Sequence, residues 1–343
     1  MKPATTEDIF EILDGSFTSA AFGAAIELGL FWLLAENPLP TSDIARSLNI
    51  PLNRCAILLQ MLCRMGLLEE TACGYAPSAL ARRTILEAYS RETWAFLARE
   101  ARFRLPAILD LPLNISKPVS TWEAQSLRAP YYFKEIVEAP DYAARFTRML
   151  YELHISMAEQ LAELLDLTEV KRLLDLGGGS GVVTFALLRR QPELVALLLD
   201  VENVCKTGRE IAAENGLEQR ITYLAADFVK DELPTGYDMV MLCDTAASSE
   251  ALFRKIHAAL NPNGRFVLVE QFAPNQDHVV PSHQVWTFLS SLEFSKSAIN
   301  YTTGQAVKAQ LQQSGFRKVS ITPLHSEDDL RWNADWVVLE ALR

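Results

Sequence analysis

The segment Leu173-Leu-Asp-Leu-Gly-Gly-Gly-Ser-Gly181 runs an apolar stretch straight into glycines, and an apolar helical pattern follows. Glycines permit a tight turn and let a ligand approach the main chain, while free amide groups at a helix start favour an anionic group. The spacing narrows the choice of ligand. A dinucleotide fingerprint needs Gly-x-Gly-x-x-Gly, but counting from Gly177 puts Val182 last, and counting from Gly179 puts Thr184 there. A phosphate-binding P-loop fails too, because no Gly-Lys-Ser/Thr follows. What remains is Asp-x-Gly-x-Gly-x-Gly, from Asp175 through Gly177 and Gly179 to Gly181, with Gly178 inside the turn.

Two downstream segments add chemistry to it. The apolar run Leu194 to Asp200 ends in a carboxylate that can accept both hydroxyls of a ribose. The run Arg220 to Leu224 leads to Ala225-Ala-Asp-Phe228, where Asp227 can accept the amino group of an adenine and Phe228 can cover its face. Three such items at consecutive strand ends describe one nucleoside site on the carboxyl edge of a sheet.

The elements that position these residues follow from the pattern around them. From Lys171 onward, short apolar runs alternate with helical segments, as in a parallel sheet with crossovers. Residues 321–324 and 335–342 supply the last two strands. Upstream, Thr41-Ser-Asp43 is an N-cap signal, Asn53 can cap a second helix from Arg54 to Met65, and Gly66 ends it. Leu67-Leu-Glu-Glu and Tyr75-Ala-Pro then fit a two-stranded wing. Helix, turn, helix, wing is an outline that often binds DNA. Here the second helix offers only Arg54, Gln60 and Arg64 as polar contacts, so it reads as scaffold. Residues 9–35 read as helical and rich in small side chains, which suits close helix packing or a subunit interface. Residues 86–165 read as helical and aromatic, interrupted by Pro106, Pro112, Pro118 and Pro130, with a domain boundary near a helix over 142–166. The expected division is a dimerisation region at 1–100, a helical linker at 101–165 that contributes to an acceptor pocket, and a nucleotide-binding domain at 166–343.

Bulk properties exclude other classes. The 343 residues carry a formal charge of −11 and 49% hydrophobic residues. A globular protein acting on a small molecule fits, whereas a nucleic-acid partner would require clustered Lys and Arg. Five scattered cysteines show no metal-binding spacing and read as buried thiols of a reducing cytoplasm. The start lacks the basic-then-apolar order of a signal peptide, and the apolar stretch 19–35 is too short and polar for a membrane span. The expectation is a cytoplasmic protein without metal or membrane partner.

The order Leu-Leu-Asp-Leu-Gly-Gly-Gly-Ser-Gly, then Asp200, then Ala-Asp-Phe228, then Leu260-Asn-Pro-Asn-Gly-Arg-Phe-Val-Leu-Val-Glu270 resembles the class I S-adenosylmethionine-dependent methyltransferases. It is most similar to the branch of small-molecule O-methyltransferases, with plant caffeate and hydroxyindole enzymes and bacterial polyketide and pigment enzymes. The likeness spans nearly the whole chain. It implies an α/β fold, with a Rossmann-like seven-stranded domain after a helical, winged-helix-like dimerisation domain that forms a homodimer. It also implies S-adenosylmethionine as donor and S-adenosylhomocysteine as product. The donor's methionine part would lie on the turn of Gly177, Gly178, Gly179 and Gly181, its ribose on Asp200, and its adenine on Asp227 and Phe228, with Asp175 and Cys243 also among the cofactor-binding residues.

The chain departs from that family at one place. Relatives carry a His-Asp-Trp or similar motif after the fourth strand, whose histidine deprotonates the acceptor hydroxyl. Here Tyr237 to Cys243 is followed by Asp244-Thr-Ala-Ala-Ser-Ser-Glu250, without histidine. Three readings stay open: an acidic acceptor that needs only alignment, a different base, or donor binding without transfer. His283 and Asp244 are the candidate catalytic residues, with Glu293 third. His154 reads as a core or cleft residue, His257 as packed or solvated, and His278 and His325 as loop residues. Met149, Tyr151, Trp286, Phe288 and Phe294 come from segments that line the acceptor pocket in relatives, which suits a flat, uncharged acceptor. The expected reaction is methyl transfer to a hydroxyl of a small aromatic or heteroaromatic metabolite, such as a polyketide or pyrrolic pigment precursor. Transfer to carbon is the alternative.

Overall fold

A computed structural model describes residues 3–109, 111–117, 119–125, 132–245, 247–272, 303–324 and 336–343. They form two compact units, residues 1–110 and 111–343. The expected division at residue 100 falls inside the helix Arg91–Leu109, which continues past Pro106.

The first unit begins with helices α1 (Thr6–Leu13), α2 (Gly15–Glu27) and α3 (Leu30–Leu33). Gly29, at φ +76, separates the last two. Next come α4 (Thr41–Ser47), α5 (Leu52–Arg64), and the antiparallel pair β1 (Leu68–Thr71) and β2 (Gly74–Pro77). Both α4 and α5 start one residue after a proline, Pro40 and Pro51, and neither has a side-chain cap bond. The caps expected at Thr41-Ser-Asp43 and Asn53 are therefore absent. A proline held in extended φ/ψ already sets the entry to each helix, and Asn53 lies within α5. Gly66, at φ +71, does end α5 as expected. Ala25, Ile26, Phe31, Ile44, Leu59 and Leu62 bury themselves among these elements. A short helix α6 (Ala79–Ala81), a π-helical turn Arg82–Glu87 and α7 (Arg91–Leu109) complete the unit.

The second unit opens with α8 (Leu111–Asn114), α9 (Thr121–Ala124), α10 (Tyr132–Glu138), α11 (Pro140–Leu153) and α12 (Ile155–Leu164). The single helix expected over 142–166 is broken at His154, which ends α11 and precedes α12 with φ −100 and ψ 2. Then follow β3 (Arg172–Leu176), α13 (Val182–Arg190), β4 (Val195–Asp200), α14 (Glu202–Glu214), β5 (Ile221–Ala225), β6 (Tyr237–Cys243), α15 (Glu250–Ala259), β7 (Leu260–Gln271), α16 (Gly304–Gln313), β8 (Arg317–Leu324) and β9 (Trp336–Leu342). The sheet order is β5-β4-β3-β6-β7-β9-β8, parallel except for β9, which runs antiparallel to both neighbours. This is the seven-stranded α/β architecture expected.

Near-continuous apolar strands bury both faces of such a sheet. On one face Leu173, Leu198, Met239 and Val267 pack with Leu161 of α12 and Phe185 of α13. On the other, Leu174, Val240 and Leu268 pack with Phe253 of α15 and Leu311 of α16. Strand order reverses between β3 and β6, so the crevice beyond their carboxyl ends is where this topology places a ligand. Among the described residues no single helix is long and apolar enough to cross a membrane.

Candidate active site

Three strand ends converge on the glycine turn. Gly177, Gly179 and Gly181 adopt φ of +66, +59 and +87, a region that disfavours side chains. Gly178 is required for space instead, since a Cβ there would lie 2.4 Å from Asp175 Oδ2. A Cβ on Gly177 would meet Thr245 Cγ2 at 2.8 Å and the Phe228 ring at 3.1 Å. The residues following β5 and β6 thus close on the turn that follows β3.

The carboxylates around this turn differ in environment. Asp200 accepts the Gly179 amide at 2.9 Å and the Val201 amide at 2.7 Å. Burial pushes it above the usual carboxylate range against those two bonds. It ends β4 beside the turn, where a ribose acceptor was expected. Asp175 is 1% exposed, and its Oδ2 accepts the Thr184 hydroxyl at 2.6 Å. Its Oδ1 is buried without a partner among the described residues. Burial raises Asp175 to about 7. Asp227, expected on the adenine, turns its carboxylate into its own loop. It accepts the Val229 amide at 3.1 Å and the Lys230 amide at 3.2 Å, and it pairs with Lys230 Nζ at 2.7 Å. The Lys230 bond holds it below its usual range.

On the other side of the crevice, β6 ends at Cys243 and Asp244. Asp244 has φ +51, and its amide is bonded to Val269 O at 3.0 Å. His154 Nε2 lies 3.5 Å from Asp244 Oδ2. Burial, with the negative charge of Glu270, raises Asp244 to about 8, and burial lowers His154 to about 4. Both effects favour neutral forms at neutral pH. Asp244 is hemmed in by protein, yet 43% of its side chain is open to solvent, as expected of a group lining a crevice. Cys243 is held well above its usual range by burial, hence as the thiol.

Of the expected acceptor-pocket residues, Met149 is buried on α11. Tyr151 packs edge-on against Phe185 and donates to Asn215 Oδ1 at 3.1 Å, at the end of α14 remote from Asp200. His283, Glu293, Trp286, Phe288 and Phe294, with His278 and His325, lie outside the described residues. His257 packs edge-on against Phe316. Sequence reasoning did not find Thr184, Thr245 or Lys255. The signal for Thr184 was its spacing to Asp175 across the first turn of α13. Lys255 Nζ donates to the carbonyls of Phe228 at 3.0 Å and Val229 at 3.1 Å, and to that of Asp231, so α15 pins the loop that carries Asp227 and Phe228.

A turn open to main-chain approach, a carboxylate pair and an unpartnered buried oxygen suit a nucleoside that also carries positive charge. The cationic donor S-adenosylmethionine fits this set. The fold and crevice define a class I methyltransferase. Residues 121–314 match the O-methyltransferase domain and residues 10–86 match its dimerisation domain. The chain belongs to this family of S-adenosylmethionine-dependent O-methyltransferases. It is 30% identical over 275 residues to the 3-hydroxy-5-methyl-1-naphthoate 3-O-methyltransferase of Streptomyces sahachiroi, across 79% of this chain and 78% of that protein. Its fold matches the mitomycin 7-O-methyltransferase MmcR with a TM-score of 0.81 at 21% identity, over 98% and 97% of the two chains. It matches PigF with SAH equally, with a TM-score of 0.81 at 21% identity over 99% and 100%.

Proposed function

We propose that this protein, as a homodimer, methylates a hydroxyl on a small, flat aromatic metabolite of the fused-ring phenol type. The observation that carries the reading is the convergence of the glycine turn, Asp175 and Asp200 at the carboxyl ends of β3 and β4, beside Asp244 at the end of β6. A bound S-adenosylmethionine supplies an electrophilic methyl group on a cationic sulfur. The chain's own task is to hold the donor and orient the acceptor oxygen in line, which lowers the barrier by removing the entropy of encounter. The net charge of −11 disfavours polyanionic acceptors. The naphthoate named for the relative from Streptomyces sahachiroi supports a fused aromatic ring system.

Calorimetry with S-adenosylmethionine tests the donor, and saturable binding below millimolar is expected. Mass and NMR analysis after incubation with hydroxynaphthoates tests the acceptor class, with an O-methyl product expected. No heat at millimolar donor would overturn the reading, and a C-methyl product would overturn the choice of oxygen.

A further inference from the structure

The family's histidine after the fourth strand is missing, but a histidine from elsewhere in the chain reaches the same crevice. His154 occupies the break between α11 and α12, and its Nε2 faces Asp244 Oδ2 at 3.5 Å. The Trp336 ring stands edge-on to the imidazole at 6.0 Å, and the side chain is 15% exposed. Packed edge-on against Trp336, the ring turns Nε2 toward the Asp244 carboxyl. Asp244 is one of few non-glycine residues at positive φ among those described, and such backbone strain concentrates at functional sites. Its neighbour Thr245 abuts Gly177, so the pair lies beside the turn that holds the donor.

We infer that His154 and Asp244 form the proton-accepting pair of the reaction, taking the acceptor's hydroxyl proton while its oxygen attacks the donor methyl. The inference rests on the proposed methyl transfer to a hydroxyl. In its basic form the pair has Asp244 as carboxylate and His154 neutral. The acceptor O–H bond breaks, and its proton lodges between Nε2 and Oδ2. An oxygen–carbon bond forms, the carbon–sulfur bond breaks, and sulfur keeps that electron pair. The proton then leaves to solvent. The charged and titratable groups around the pair are Glu270 on β7, Cys243 on β6 and, next to Cys243, Asp175 on β3. Burial and the negative charge of Glu270 disfavour a further negative charge at Asp244, which makes the carboxylate a stronger base than an exposed one. A base whose proton affinity is raised toward the operating pH is still present in its basic form and accepts a proton more strongly, which suits an acceptor hydroxyl of phenolic acidity.

The test compares wild type, Asp244→Asn and His154→Gln, each as the full chain. One measurement is kcat/KM for a hydroxynaphthoate over roughly pH 6 to 10. The second is S-adenosylhomocysteine affinity by calorimetry. The third is the titration of the His154 ring carbon by NMR with S-adenosylhomocysteine bound, which needs no acceptor. Wild-type rates should rise with pH through one ionisation. Each variant should lose about a hundredfold or more in kcat/KM and the pH dependence with it, while affinity changes by less than about threefold. The His154 resonance should show a basic titration step that Asp244→Asn abolishes. Wild-type pH profiles in the variants, a His154 resonance indifferent to Asp244→Asn, or a loss confined to S-adenosylhomocysteine affinity would each overturn the pair. The last result would make His154 a donor-binding residue. Failure of the wild type to bind S-adenosylhomocysteine would instead overturn the transferase reading itself.

Discussion

Asp175 lies buried beside the glycine turn that is expected to hold the donor. It is fully enclosed under Gly178, with one oxygen on Thr184 and the other unpartnered. Burial raises it from the ordinary carboxylate range to about 7. The folded chain therefore holds a proton that the unfolded chain releases, so this group's contribution to stability falls as pH rises from about 4 through about 7. At full ionisation the loss is on the order of 4 kcal/mol. A cationic donor bound close to the unpartnered oxygen would favour the charged form and expel the proton. Donor binding near pH 6 should therefore release a large fraction of one proton, read as different calorimetric enthalpies in buffers of different ionisation heat. Equal enthalpies in all buffers would show that Asp175 stays protonated when the donor binds. Asp175→Asn should abolish the release.

The strands and their terminal residues were legible because apolar runs, glycines and acids repeat at the ends of β3, β4 and β5. The tilt of single side chains was not. Asp227 was expected on the adenine, but a lysine three residues later draws its carboxylate into the loop, and nothing in the local pattern announces that choice. The break at His154 was equally hidden. Apolar spacing continues across it, and the residue at the break faces Asp244 and Trp336, which are distant in sequence. Lys255 belongs with these tertiary features. From α15 it donates to the Phe228, Val229 and Asp231 carbonyls and so fixes the loop that was expected to hold the adenine. Lys255→Met should weaken donor binding by roughly 5- to 30-fold, the effect of one or two charge-assisted bonds, with kcat nearly unchanged. Lys255→Arg should recover part of the affinity. Steady-state kinetics with varied S-adenosylmethionine would decide, and a fall in kcat at unchanged KM would contradict a purely positioning role.

Assembly is set by a different part of the chain. Helix α1 has a capping box between Thr5 and Asp8, yet it buries none of its own residues. Eight residues are too few for a stable helix in water without tertiary support. Ile12, Leu13 and Phe17 are 60%, 72% and 69% exposed, within the segment that matches the family's dimerisation domain. Large apolar side chains clustered this way mark an interaction surface, and a second copy of the chain is the partner that the domain match implies. Burying each such side chain contributes about 1.5–3 kcal/mol, so replacing two per protomer with charges weakens a dimer by several kcal/mol, or several orders of magnitude in Kd. The double variant Leu13→Glu, Phe17→Glu should sediment as a monomer at micromolar concentration where the wild type sediments as a dimer. Because the residues expected to bind the donor all lie in the unit 111–343, its affinity for S-adenosylhomocysteine should stay within about threefold of wild type. A double variant that still sediments as a dimer would move the interface away from α1 and α2. A monomer that has lost S-adenosylhomocysteine binding would show that the second copy shapes the donor site.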